Sequence, residues 1–126
     1  MDRFLETFFN PVVMAKYTPD IIAGIWVTLQ IASAVIVAGI LAGLALACLR
    51  SYGVKTLNFF IICYADIFRA LPPLVVILIL YFGFPSIGIQ LSGPMVLFLV
   101  LAATLAAFAE EIFWAGFSSV EKGQWE

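Results

Sequence analysis

The chain has 126 residues, room for one domain at most. Hydrophobic residues make up 64% of it and charged residues 11%, against about 45–50% and about 25% in soluble domains, so there is too little polar surface to cover the chain in water. The net charge is −2, with no basic run and no histidine, which speaks against nucleic acid as a partner and removes any His-based metal site or proton relay.

Residues 1–17 place Phe4, Leu5, Phe8, Phe9, Val12 and Val13 on one helical face, with Asp2, Arg3, Glu6 and Asn10 elsewhere. This pattern predicts an amphipathic helix on the membrane surface, ended or bent at Pro11. The same residues lack the unbroken apolar stretch of a cleaved signal peptide. Thr18-Pro19-Asp20 reads as a helix start: a capping hydroxyl, a proline in the first turn and an acid at the positive end of the dipole. Residues 18–126 are then expected to form one transmembrane domain. Its first span runs from about 21 to 49, inside a stretch of 29 residues between Asp20 and Arg50 without Asp, Glu, Lys or Arg. A crossing needs only about 20 apolar residues. Small residues line this span, and Gly39 and Gly43 form a Gly-x-x-x-Gly pair that allows close helix approach. Cys48 and Cys63 lie in apolar surroundings with no Cys-x-x-Cys spacing and read as small hydrophobes.

After a short basic turn (Arg50 to Lys55), a second span is expected over about 57–84. Pro72 and Pro73 remove two backbone donors, so a helix must break or restart there. Residues 74–82 are too short to cross alone, which makes the second span a kinked one. The segment from Gly83 to Pro94 is rich in Gly, Pro and Ser and reads as a loop. Pro94 opens the third span, to about 117. The fold class expected is all-α transmembrane, three crossings forming part of a larger helical bundle. Arg50, Lys55, Arg69 and Lys122 gather at one end of the spans while the loop 83–94 has no basic residue. That asymmetry puts the N-terminus outside and the C-terminus in the cytoplasm, with Arg3 and Lys16 opposing.

The few polar residues in apolar surroundings are the candidates for function. Thr28, Gln30 and Ser33 lie in the outer third of the first span and are expected either to line a polar path or to bond backbone and neighbouring helices. Asp66 and Arg69, three apart, share a helix face. They form a neutralising pair at the inner interface, or fix the kink at Pro72-Pro73 and touch a partner at the cytoplasmic mouth. Glu110 and Glu111 point about 100° apart; both reach headgroup water, or Glu111 pairs with Arg69 across helices. No nucleophile–base set and no phosphate-binding glycine loop is present, so neither a catalytic residue nor a metal ligand is assigned.

Several segments together resemble the permease subunits of polar-amino-acid ABC importers. Gly24-Ile25-Trp26-Val27-Thr28-Leu29-Gln30 is similar to the opening of their first shared span. Tyr64-Ala65-Asp66-Ile67-Phe68-Arg69-Ala70-Leu71-Pro72-Pro73-Leu74 resembles their Tyr-x-x-x-Phe-Arg-(Gly/Ala)-x-Pro-x-Leu segment, and Tyr81-Phe82-Gly83-Phe84-Pro85 their exit from the second helix. Glu111-Ile112-Phe113, Gly116 and the run from Ser118 to Glu126 resemble the approach to the family's coupling helix. Trp114 departs from the pattern, standing where the family usually has Arg. The resemblance covers residues 21–126.

It implies a type I importer in the bacterial inner membrane, without enzymatic activity of its own. Two permease subunits, identical or different, form the pathway; ABC ATPase subunits use ATP; an extracytoplasmic binding protein delivers the solute. This chain then binds no cofactor. Lys122, Gly123, Gln124 and Glu126 mark the approach to the ATPase, Glu126 matching the first residue of the Glu-Ala-Ala motif, so that the chain reads as the N-terminal part of a permease and is not expected to couple to ATP hydrolysis by itself. The alternatives are a small membrane protein acting only through helix–helix contact, and a secondary transporter, for which the sequence offers no acidic relay at mid-span.

Overall fold

The computed structural model describes Phe4 and residues 8–120, and every described element is helical or a turn. The chain divides into two compact units, Met1–Ile31 and Ala32–Glu126, with helix α1 (Pro11–Ser51) running through both.

In the first unit, Asn10 caps the start of α1. Its side-chain Oδ1 accepts from the backbone N–H of Val12 at 3.0 Å and of Val13 at 3.3 Å, and Pro11 occupies the first helical position, where no N–H is needed. Pro11 thus begins a helix instead of ending one. Thr18-Pro19-Asp20 does not start a helix either: Pro19 lies inside α1, and Thr18 Oγ1 donates to the Met14 carbonyl at 2.6 Å. Proline disfavours a helix interior but does not forbid it, and the stronger cap eight residues upstream decides the boundary. Of the amphipathic segment expected over 1–17, Phe4 and Phe8 are helical, with ring centroids 4.8 Å apart. Phe9 and Asn10 are not helical, residues 11–17 belong to α1, and the others fall outside the described residues.

In the second unit, α1 ends at Ser51, and Gly53 adopts a left-handed φ of 72°, the usual exit from a helix C-terminus. Helix α2 (Lys55–Ala70) follows, then the short α3 (Pro73–Leu78), which continues into a π turn (Ile79–Gly83) and a 3-10 turn (Phe84–Ile87) closed by left-handed Gly88. The last helix, α4 (Gly93–Ser119), starts with Pro94 in its first turn, as the sequence implies. The expected break at Pro72-Pro73 is sharp: residues 55–70 and 73–87 meet at 97°.

The core is a seam between small residues. Val35, Gly39, Gly43 and Ala47 are buried at four-residue spacing on α1; Val96, Val100, Thr104 and Ala107 are buried at spacings of four, four and three on α4. A Cβ on Gly43 would lie 2.6 Å from Ala109 Cβ and 2.8 Å from the Ala106 carbonyl, so only glycine permits this approach. Ile61 and Ala65 of α2 complete the core, and Tyr64 donates its hydroxyl to the Ala103 carbonyl at 2.6 Å.

The contacts also set direction. Gly39 faces Leu105, Gly43 faces Ala106 and Ala109, and Arg50 reaches Glu110 and Glu111. Both series climb together, so residues 32–51 and α4 run parallel. Two helices, α1 and α4, are long and apolar enough to cross a membrane, and the bent pair α2–α3 adds a third if it counts as one span.

Candidate functional site

Five charged side chains of the second unit converge, Arg50, Asp66, Arg69, Glu110 and Glu111. Arg50 stands in the last turn of α1, where a cation also suits the negative end of the helix dipole. Its Nη1 donates to Glu110 at 3.0 and 3.3 Å and to Glu111 at 3.0 Å. The guanidinium carbon sits 4.5 Å from the centroid of the Trp114 ring, a cation–π distance. Glu110 and Trp114 are four apart on α4, so they present one face to the Arg50 side chain, and Glu111 turns 100° away toward α2. There Arg69 Nη1 lies 3.6 Å from Glu111, while its Nη2 donates to Asp66 at 2.7 Å within α2.

Burial ranks these groups. The Glu110 side chain has no exposure and Arg50 12%, whereas Glu111 and Arg69 keep 33% and 31% and Asp66 61%. The reading of Glu110 in headgroup water therefore fails: a fully enclosed carboxylate is tolerable only because Arg50 neutralises and hydrogen-bonds it. The pairing of Glu111 with Arg69 across helices is present, although Glu111 is shared with Arg50. Arg50 and Glu110 were missed as a pair because 60 positions separate them. Their signal was chemical: an acid expected to lie near the edge of the hydrocarbon needs a cation, and Arg50 closes the first span. Asn58, one turn into α2, adds a buried side-chain oxygen that accepts no hydrogen bond.

The remaining sequence candidates lie elsewhere. Thr28, in the first unit, returns its hydroxyl to the Gly24 carbonyl at 2.9 Å, the helix-internal bond common for threonine. Gln30 and Ser33 are exposed, Gln30 in the first unit and Ser33 in the second. Pro72 and Pro73 form the break between α2 and α3. Lys122, Gly123, Gln124 and Glu126 fall outside the described residues. Among the described residues no group of three or more His, Cys, Asp or Glu is placed to hold a metal ion, and the cluster of ion pairs brings no nucleophile to a base. What the cluster does is join the ends of α1 and α2 to α4.

No protein-family model matches the chain. It is similar to the probable amino-acid ABC transporter permease protein YckA of Bacillus subtilis, with 37% identity over 121 residues, 96% of this chain and 54% of that protein. Similar too are the L-cystine transport system permease protein TcyL of Bacillus subtilis (35% identity, 97% of this chain and 54% of that one) and the putative glutamine transport system permease protein GlnP of Rickettsia prowazekii (33%, 90% and 54%). Among solved structures, a crystal structure of an amino acid ABC transporter with histidines superposes with a TM-score of 0.80 at 30% identity, covering 90% of this chain and 53% of that one. The chain spans about half the length of the curated relatives it matches. Over nearly all of its own length, in sequence and in fold, the chain is similar to amino-acid ABC transporter permeases, and these are transporter subunits and not enzymes.

Proposed function

We propose that the chain forms part of the transmembrane permease subunit of an ABC importer for polar amino acids, in the bacterial inner membrane. The observation that carries this reading is the shared fold over 90% of the chain with a solved amino acid ABC transporter, at 30% identity. The solute class follows from relatives named for glutamine and L-cystine, both polar. ATP hydrolysis falls to separate ATPase subunits, delivery to an extracytoplasmic binding protein, and the rest of the pathway to a second permease subunit.

The bent α2–α3 segment acts as one span in this reading, for three crossings in all. The parallel run of residues 32–51 and α4 supports it. The chain leaves α1 beside Glu110 and re-enters at Gly93, so residues 52–92 must carry it back ~26 Å, nearly the hydrocarbon thickness. Arg50 and Lys55 on the inner turn and no cation in the loop 83–94 support an outer N-terminus.

Deleting the chain's gene in its native host is expected to abolish ATP-driven uptake of at least one polar amino acid, and the tagged chain to co-purify with an ATPase subunit. Unchanged uptake across all the standard amino acids, with no ATPase recovered, refutes the importer and favours a membrane protein that acts by helix–helix contact alone.

A further inference from the structure

Three features meet at the end of α2. First, Pro72 and Pro73 have no N–H to give the carbonyls of Phe68 and Arg69, so no helical ladder passes from α2 into α3 across the 97° bend. Second, Arg69 has carboxylates on two elements: Asp66 of its own helix at 2.7 Å, and Glu111 of α4 at 3.6 Å, beyond hydrogen-bond distance. Third, Glu111 has its own second partner in Arg50 at 3.0 Å. Parting Arg69 from Glu111 therefore strands neither charge. Arg50 and Glu110 differ in this respect, because their separation would leave a carboxylate with no exposure and no counter-charge. The backbone contact at Gly43 ties the same two helices.

We infer that the end of α2 is built to detach from α4, tilting about Tyr64 while the Leu71-Pro72-Pro73 joint flexes, against a rigid pair made of residues 32–51 and α4. Arg69 then passes from sharing Glu111 to holding Asp66 alone. Tyr64, bonded to the Ala103 carbonyl, is the pivot that keeps the middle of α2 in place. The device places one weak ion pair across the moving contact and the buried one across the fixed contact.

The test is a distance distribution by pulsed dipolar EPR, on the chain in lipid nanodiscs with Cys48→Ser and Cys63→Ala. Spin labels go on Ile67→Cys and Ile112→Cys, both exposed, on α2 and α4. Two populations are expected. Glu111→Gln should enrich the longer distance about two- to fivefold, the reach of a half-exposed ion pair, and Asp66→Asn should deplete it by a similar factor. Labels on Leu41→Cys and Phe108→Cys, across the fixed pair, should give one narrow distance in every background. An Ile67–Ile112 distribution as narrow as that control, unmoved by either variant, overturns the inference. Asp66→Asn keeps the test decisive if Glu111→Gln fails to insert, since Asp66 is mostly exposed. The readout needs no transport and so stands apart from the importer reading.

Discussion

Arg50 holds two carboxylates and an indole ring with one guanidinium, and its loss is expected to be the costliest among the charged positions. Arg50→Ala leaves the Glu110 carboxyl enclosed and without its partner, a defect worth about 3–5 kcal/mol. Asp66→Asn removes a pair that water already screens and should cost under ~1 kcal/mol. Equilibrium unfolding in mixed detergent micelles, followed by circular dichroism, separates the two. Replacing both partners, Arg50→Met with Glu110→Leu, is expected to recover most of the loss, because two apolar side chains need no counter-charge. If Arg50→Ala proves no worse than Asp66→Asn, Glu110 is not buried as described. The same contrast explains what was legible at this scale. Asp66 and Arg69 are neighbours by helical spacing, and Glu111 opposite Arg69 follows from an acid and a base both facing a bundle interior. The pair of Arg50 with Glu110 is a tertiary contact, and periodicity within one helix carries no information about it.

At the scale of elements, the seam of α1 on α4 depends on which glycines are crowded. A Cβ on Gly43 meets the Ala106 carbonyl at 2.8 Å and the Glu110 nitrogen at 3.0 Å, backbone atoms that cannot turn aside. A Cβ on Gly39 meets only the Leu105 side chain, at 2.8 Å. Gly43→Ala is therefore expected to destabilise by about 1–3 kcal/mol, as overpacking does, and Gly39→Ala by less. Gly24→Ala has open space around it and should be neutral or stabilising by up to ~1 kcal/mol, the helix preference of alanine. The same unfolding assay ranks them, and equal effects at the three positions would remove the seam. The Gly-x-x-x-Gly pair made this contact legible in advance, as the proline pair did the bend of the second segment. The start of α1 was not legible, because Thr-Pro-Asp carries every local mark of a helix N-terminus. Local marks compete, and Asn10-Pro11 supplies a cap with two backbone bonds in place.

At the scale of the whole molecule, composition alone decided the class: long stretches without charge are solvated by lipid. The number of crossings needed the tertiary contacts, since a segment bent by 97° reads equally as a broken span or as a loop that re-enters the same face. The parallel run of residues 32–51 with α4 favours the broken span of the proposed reading. Had residues 52–92 turned back without crossing, α4 would begin at the level of Arg50 and run against α1, and Arg50 would face Gly93 instead of Glu110. Orientation remains a matter of charge, and labelling tests both at once. With Cys48→Ser and Cys63→Ala as background, Ile87→Cys and Tyr52→Cys place single thiols at exposed positions in the two connecting turns. A membrane-impermeant maleimide added to intact spheroplasts is expected to label the variant at 87 and to spare the variant at 52 until the membrane is opened. Labelling of both from outside would mean that α2 and α3 re-enter without crossing. Labelling of 52 alone would reverse the chain in the bilayer and put Arg50 and Lys55 on the face that positive charge avoids. Either result would move the Arg50–Glu110 cluster to the wrong side to meet a cytoplasmic ATPase, so the orientation and the proposed import direction stand together.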